Sequence, residues 1–131
     1  MDKIALQEIE RRYKNNGQHA EQVVRFTLTG IICKADNTPF DKATDCLQYQ
    51  IKYGRATVCK GTDIKSYLQN DKASEYIYVS PDFKTAWIMN KTEWLDFCER
   101  FSEVTYESKK NGGGLKRKIK YASQKLLDYL G

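Results

Sequence analysis

The hydrophobic period of this 131-residue chain changes in its first third, and that change restricts its fold more than any other feature. Up to Gly30 the apolar residues recur at helical spacing. Ile4, Ala5, Ile9 and Tyr13 predict a helix over residues 2–14, stopped by Asn15-Asn16-Gly17. Ala20, Val23, Val24 and Leu28 predict a second helix over 18–28, ending near Gly30. After the turn-rich loop Ala35-Asp36-Asn37-Thr38-Pro39 the pattern shifts toward a period of two. Short strands are expected over 43–47, 49–53 and 56–59, with a turn at Gly54, then a short helix over 63–69. A hairpin over 75–79 and 85–89 turns at Ser80-Pro81-Asp82.

Helical spacing returns over 92–101, where Trp94, Leu95, Cys98 and Phe101 share a face and Thr92 is a candidate N-cap. The glycines at 112–114 form a joint. A last basic helix is expected over about 115–130, with Ile119, Leu126, Leu127 and Leu130 turned inward. Helices, strands, a helix, two more strands and closing helices make an α/β (α+β) architecture. Its mixed sheet is flanked by helices, and the length suits one domain.

Composition narrows the functional classes. With 40% apolar and 30% charged residues the chain reads as a globular, soluble protein. No apolar run approaches the roughly 20 residues that span a bilayer, and the N-terminus lacks a signal-peptide core. The expectation is a cytoplasmic protein without a membrane partner. Cys33, Cys46, Cys59 and Cys98 show no C-x-x-C spacing, and His19 is the sole histidine. Reduced core thiols fit that pattern better than a metal cluster. Trp87, Trp94, Tyr76 and Tyr78 read as core or sheet-surface residues.

Charge is unevenly placed. From Ser108 onward, Lys109, Lys110, Lys116, Arg117, Lys118, Lys120 and Lys125 face a single acid, Asp128, so this segment carries +6 and the other 107 residues sum to −1. Such asymmetry points to a polyanion such as DNA, with Lys116, Arg117, Lys118 and Lys120 as the contacts. A solvated helix face would carry the same charges.

The chemistry concentrates in "TDCLQYQIKYGRA", residues 44–56. Gln50 and Lys52 are two apart, so on a strand they emerge from one face. A tight connection would bring Asp45 beside them. An acid, an amide oxygen and an ammonium then converge, and hard oxygen ligands of this kind suit magnesium. Lys52 could position water or neutralise charge on a phosphodiester. Glu21 borders the buried face of the second helix and could reach this cluster, or pair with Arg25 one turn on. His19 points to another side of that helix and reads as exposed. Arg55 and Thr57 could touch phosphate, or serve as turn and strand surface.

Together, the helix acid, Asp45 and the triplet Gln50-Ile51-Lys52 resemble the core of the PD-(D/E)XK nuclease superfamily, over roughly residues 17–59. That family sets an acid on one strand and an acid-x-lysine triplet on the next. The resemblance implies a restriction-endonuclease-like αβββαβ core and a Mg²⁺ ion, with Mn²⁺ as substitute. Its ligands would be Glu21, Asp45, Gln50 and the Ile51 carbonyl, and Lys52 would be the catalytic lysine. Gln50 departs from the usual acid, which removes one negative charge and weakens metal affinity. Asp41 and Asp36 are alternatives to Asp45. The implied activity is a DNA endonuclease of phage, mobile-element or restriction type, dimeric if sequence-specific. The alternatives are a catalytically impaired nuclease-fold protein that binds DNA and a host-interaction module.

Overall fold

A computed structural model describes residues 1–32, 49–108, 110, 113–120 and 123–131 of the chain. Asp36, Asp41, Asp45, Cys33, Cys46 and the strand expected over 43–47 lie outside these residues. In chain order the described elements are β1 (Asp2–Ala5), α1 (Asn16–Thr29), β2 (Tyr49–Tyr53), β3 (Thr57–Lys60), α2 (Ile64–Asn70), β4 (Glu75–Val79), β5 (Thr85–Met89), α3 (Lys91–Phe101), β6 (Ser102–Glu107), β7 (Gly114–Ile119) and α4 (Gln124–Leu130). The protein is thus a mixed α+β fold with one mixed and one antiparallel sheet. Its contacts divide it into two compact units, Met1–Tyr53 with Lys72–Asn90, and Gly54–Asp71 with Lys91–Gly131.

The first unit is built on a four-stranded sheet of order β1-β5-β4-β2. β5 runs antiparallel to both β1 and β4, whereas β2 and β4 are parallel. A parallel pair cannot be closed by a tight turn, so a long connection must separate Tyr53 from Glu75 in sequence. α1 begins where Asn15 accepts a hydrogen bond from the Gln18 amide, and it ends at Gly30 in the left-handed region, φ 76°. Its Ala20 and Val24 pack with Ile77, Val79 and Ala86, and Ile4, Ile51 and Tyr53 extend the cluster. The β4–β5 turn is held by Asp82, which accepts from the Ser80 hydroxyl at 2.6 Å and the Lys84 amide at 3.0 Å. Phe83 adopts φ 60°, costly for a bulky residue, and its ring stacks on Tyr53 at 4.7 Å.

The second unit carries the antiparallel sheet β3-β7-β6. Val58, Ile64, Leu68, Phe97, Ile119 and Leu126 are among its buried residues. Asp63 caps α2 by accepting from the Ser66 amide at 3.0 Å, and Ser123 caps α4 in the same way. Rings of Phe101 and Tyr129 meet at 5.2 Å. The Tyr129 hydroxyl donates to Asp96.

Several expectations are corrected. Residues 2–5 form β1, not the start of a helix, because β5 offers them a complete hydrogen-bonding edge. The pair Asn15-Asn16 opens α1 where a stop was expected, since an Asn oxygen satisfies an orphan helix amide as readily as it ends a turn. The basic helix expected over 115–130 is two elements, β7 and α4. Leu115, Arg117 and Ile119 alternate with lysines, a period of two that β3 and β6 exploit from either side. Gly114 belongs to β7, and Thr92 lies inside α3. Leu28 and Leu127 are partly exposed. Trp87, Trp94, Tyr76 and Tyr78 are buried, and Cys59 and Cys98 are free and buried, as expected.

Candidate functional site

The candidate strand, β2, lies at one end of the sheet order, with Gln50, Ile51 and Lys52 in register with Tyr76, Ile77 and Tyr78 of β4. Ile51, Tyr49 and Tyr53 pack into the cluster that holds Ala20 and Val24 of α1. Successive strand side chains alternate in direction, so Gln50 and Lys52 emerge together from the opposite face. There they neighbour Tyr76 and Tyr78, each 1% exposed. Burial, with the nearby Tyr53, pushes the Tyr78 phenol up to about 12, so it stays protonated beside Lys52.

Glu21 is half-buried on α1, the helix that covers the other face of β2. The structure therefore unites Gln50 with Lys52 and sets the helix bearing Glu21 against the reverse side. Asp45, the strand acid of the expected set, lies outside the described residues. Among the described residues no group of three His, Cys, Asp or Glu side chains converges. The donors on β2 are the Gln50 amide oxygen and the Ile51 carbonyl, two hard oxygens whose chemistry suits Mg²⁺ but which carry no charge. Of the expected acids, the charge for such a site would rest on Asp45.

The expected DNA contacts separate in a different way. Across β6 and β7, Lys116 faces Thr105, Arg117 faces Val104 and Lys118 faces Glu103. Lys116 and Lys118 share one face, where Glu107 takes both ammonium groups, at 3.1 and 2.6 Å. These two hydrogen bonds, Lys118 first, hold the Glu107 carboxyl below its ordinary range. Arg55 pairs with Glu103 at 3.5 Å. Lys120 is exposed just beyond β7, its amide bonded to the Phe101 carbonyl at 2.7 Å. Arg117 occupies the face opposite the lysines. Its Nε donates to the Thr62 carbonyl at 3.2 Å and its Nη1 to the Ser102 hydroxyl at 3.0 Å. The positive tail is a strand whose cations point both ways, not a helix with one basic stripe.

Sequence reasoning overlooked Glu103 and Glu107, because a charge count along the chain does not reveal which acids stand across a ladder from which lysines. It also set His19 in solvent. His19 is 7% exposed, and its Nδ1 has no hydrogen-bond partner among the described residues. It lines a cavity of about 410 Å³ in the first unit, beside Leu6, Ile9, Arg11 and Phe83. Its ring meets the Phe83 ring edge-on at 4.9 Å. Burial, and then the Arg11 charge, lower its proton affinity below the usual 6.5. No helix in the described residues is long and apolar enough to cross a membrane. No known family model, curated protein or solved structure matches the chain.

Proposed function

We propose that this protein is a divalent-metal-dependent DNA endonuclease whose chemistry centres on β2. One observation carries the reading: Gln50 and Lys52 stand side by side on one face of a strand whose parallel neighbour, β4, presents two buried tyrosines. Asp45, the Gln50 amide oxygen and the Ile51 carbonyl would hold Mg²⁺ or Mn²⁺, which supplies positive charge to a phosphodiester under attack. The Lys52 ammonium would neutralise a non-bridging phosphate oxygen as negative charge builds there. Tyr78 would remain a neutral hydroxyl at this site. Glu21 would stay with the packing of α1. A cytoplasmic location and a homodimer belong to the same reading.

The test is cleavage of plasmid DNA with Mg²⁺ or Mn²⁺ against a chelator control. Asp45→Ala and Lys52→Ala should each abolish cleavage and leave DNA binding in place. Gln50→Glu should tighten metal binding in a calorimetric titration. Full activity in either alanine variant overturns the assignment.

A second reading is favoured by the placement of α1, which sets Glu21 against the reverse face of β2. On that reading the chain binds nucleic acid without cutting it. It predicts equal DNA affinity with and without metal, and no cleavage under any condition.

A further inference from the structure

We propose that the outer end of the β6–β7 ribbon docks single-stranded DNA, with Tyr106 as the base-stacking side chain and Arg117 as the phosphate anchor. The inference rests on the reading that the partner is nucleic acid, and not on cleavage.

One face of this ribbon begins in the core and ends in solvent. At the inner end Ile119 and its cross-strand partner Ser102 are buried, as is Cys59, which pairs with Arg117 from the other side. Two residues further out the same face is open. Val104 is 40% exposed, Leu115 49% and Tyr106 72%, the largest exposure among the big apolar side chains of the described residues. Tyr106 and Leu115 are direct cross-strand partners, so they form one contiguous apolar step. A ring that exposed gains little from folding, and its location on a sheet face leaves one flat side available to a planar partner.

Charge identifies that partner. Arg117 lies between the buried and the open ends of this face. Its hydrogen bonds run to neutral oxygens of Thr62 and Ser102, and it makes no ion pair among the described residues. Its guanidinium is thus held in place by neutral oxygens and without a carboxylate in contact. On the opposite face Lys116 and Lys118 share the single carboxylate of Glu107, which offsets one of their two charges. Both faces of the ribbon thus keep net positive charge, and the exposed ring stands on the face where Arg117 has no carboxylate partner among the described residues. An anion with flat apolar faces satisfies both features at once, and a nucleic-acid strand is that ligand. In a duplex each base face is covered by its neighbours, so a stacking contact with Tyr106 calls for unpaired bases.

The test is anisotropy of a labelled oligothymidylate, in chelator so that no cleavage can interfere. Tyr106→Ala should weaken binding about tenfold, within the range known for one base stacked on an aromatic side chain, and Tyr106→Phe should retain affinity. Arg117→Gln should flatten the slope of log affinity against log salt by about 0.7, one phosphate's share for a single strand. Because Arg117 also bridges Thr62 and Ser102, circular dichroism must confirm its folding, and Tyr106→Ala carries the test if it fails. In a background with Lys116→Gln, Lys118→Gln and Glu107→Gln, which removes one net positive charge from the other face, the roughly tenfold difference between Tyr106 and Tyr106→Ala should persist. Unchanged binding in Tyr106→Ala overturns the proposal. So does a change of oligomeric state in that variant with DNA affinity intact, which would assign the face to a second copy. Loss of metal-dependent cleavage with this binding retained would overturn the nuclease reading alone.

Discussion

Lys118 Nζ lies 2.6 Å from Glu107 Oε1, and the other oxygen of that carboxylate holds Lys116 at 3.1 Å. One acid at the outer end of β6 thus occupies two cations of β7 that a linear reading offers to DNA. Glu107→Gln should free both lysines and steepen the salt dependence of DNA binding by up to about two phosphate contacts. The comparison requires only salt titrations of the two proteins.

The same carboxylate sets an acid limit. Glu107 is held below its ordinary value of 4.5 by the two lysine hydrogen bonds, so its contribution to stability is fully present above that value. It is lost as pH falls through the lowered folded value. Urea midpoints of wild type and Glu107→Gln should differ at neutral pH and converge in strong acid. A constant difference across that range would contradict the pairing.

His19 produces a second, separate pH dependence. Its folded proton affinity is lowered from 6.5, first by burial and then by Arg11. Above pH 6.5 the ring is neutral in both folded and unfolded chains, and stability does not respond. Below 6.5 the unfolded chain takes up a proton that the folded one refuses, and stability declines until the folded value is passed. Because His19 is the sole histidine, its ring resonances in a proton NMR titration report this directly. A midpoint at or above 6.5 would contradict the buried placement. His19→Phe should remove this component of the pH dependence.

Asp63→Ala should cost about 1 kcal/mol, the usual loss when a helix N-cap oxygen is removed. The carboxylate accepts from the Ser66 amide at 3.0 Å, and α2 is only seven residues long, so few other bonds sustain its first turn. Urea denaturation measures the loss, and Asp63→Ser should recover most of it.

Ile77→Ala should cost about 2–5 kcal/mol through lost burial and the cavity left behind. Ile77 is fully buried, in register with Ile51 on one side and Ile88 on the other. Against a total stability on the order of 5–15 kcal/mol this is a large fraction. Ile77→Val, measured the same way, should cost much less.

Where local signals agreed, the sequence was legible to the residue. Glu75–Val79 and Thr85–Met89 are the strands expected, because alternation and the Ser80-Pro81-Asp82 turn chemistry point to one hairpin. Gly30 ends α1, and residues 49–53 form the strand that carries Gln50 and Lys52. The shared face of that pair also followed from spacing alone. His19 was misplaced for the opposite reason. A helical wheel gives the angle of a side chain around its own axis, and burial depends on which other elements lie at that angle.

Order and spacing along the chain were enough for the α+β class, the positions of most helices and strands, and the Gln50/Lys52 pair, because these depend on neighbours within a few residues. Partners distant in sequence decided the rest. Residues 2–5 became a strand because β5, whose Thr85–Ile88 pair with them from far along the chain, presents an unpaired edge. Residues 114–119 became a strand because β3 and β6 flank them. That pairing turned a run of cations into two faces, one where Glu107 holds two lysines and one where Arg117 shares a face with Tyr106. The packing of Ile51 against α1 placed the helix bearing Glu21 on the far side of β2 from Lys52. Each of these outcomes turns on backbone hydrogen bonds and side-chain contacts between segments far apart in the chain, and no local pattern records which distant segment will supply them.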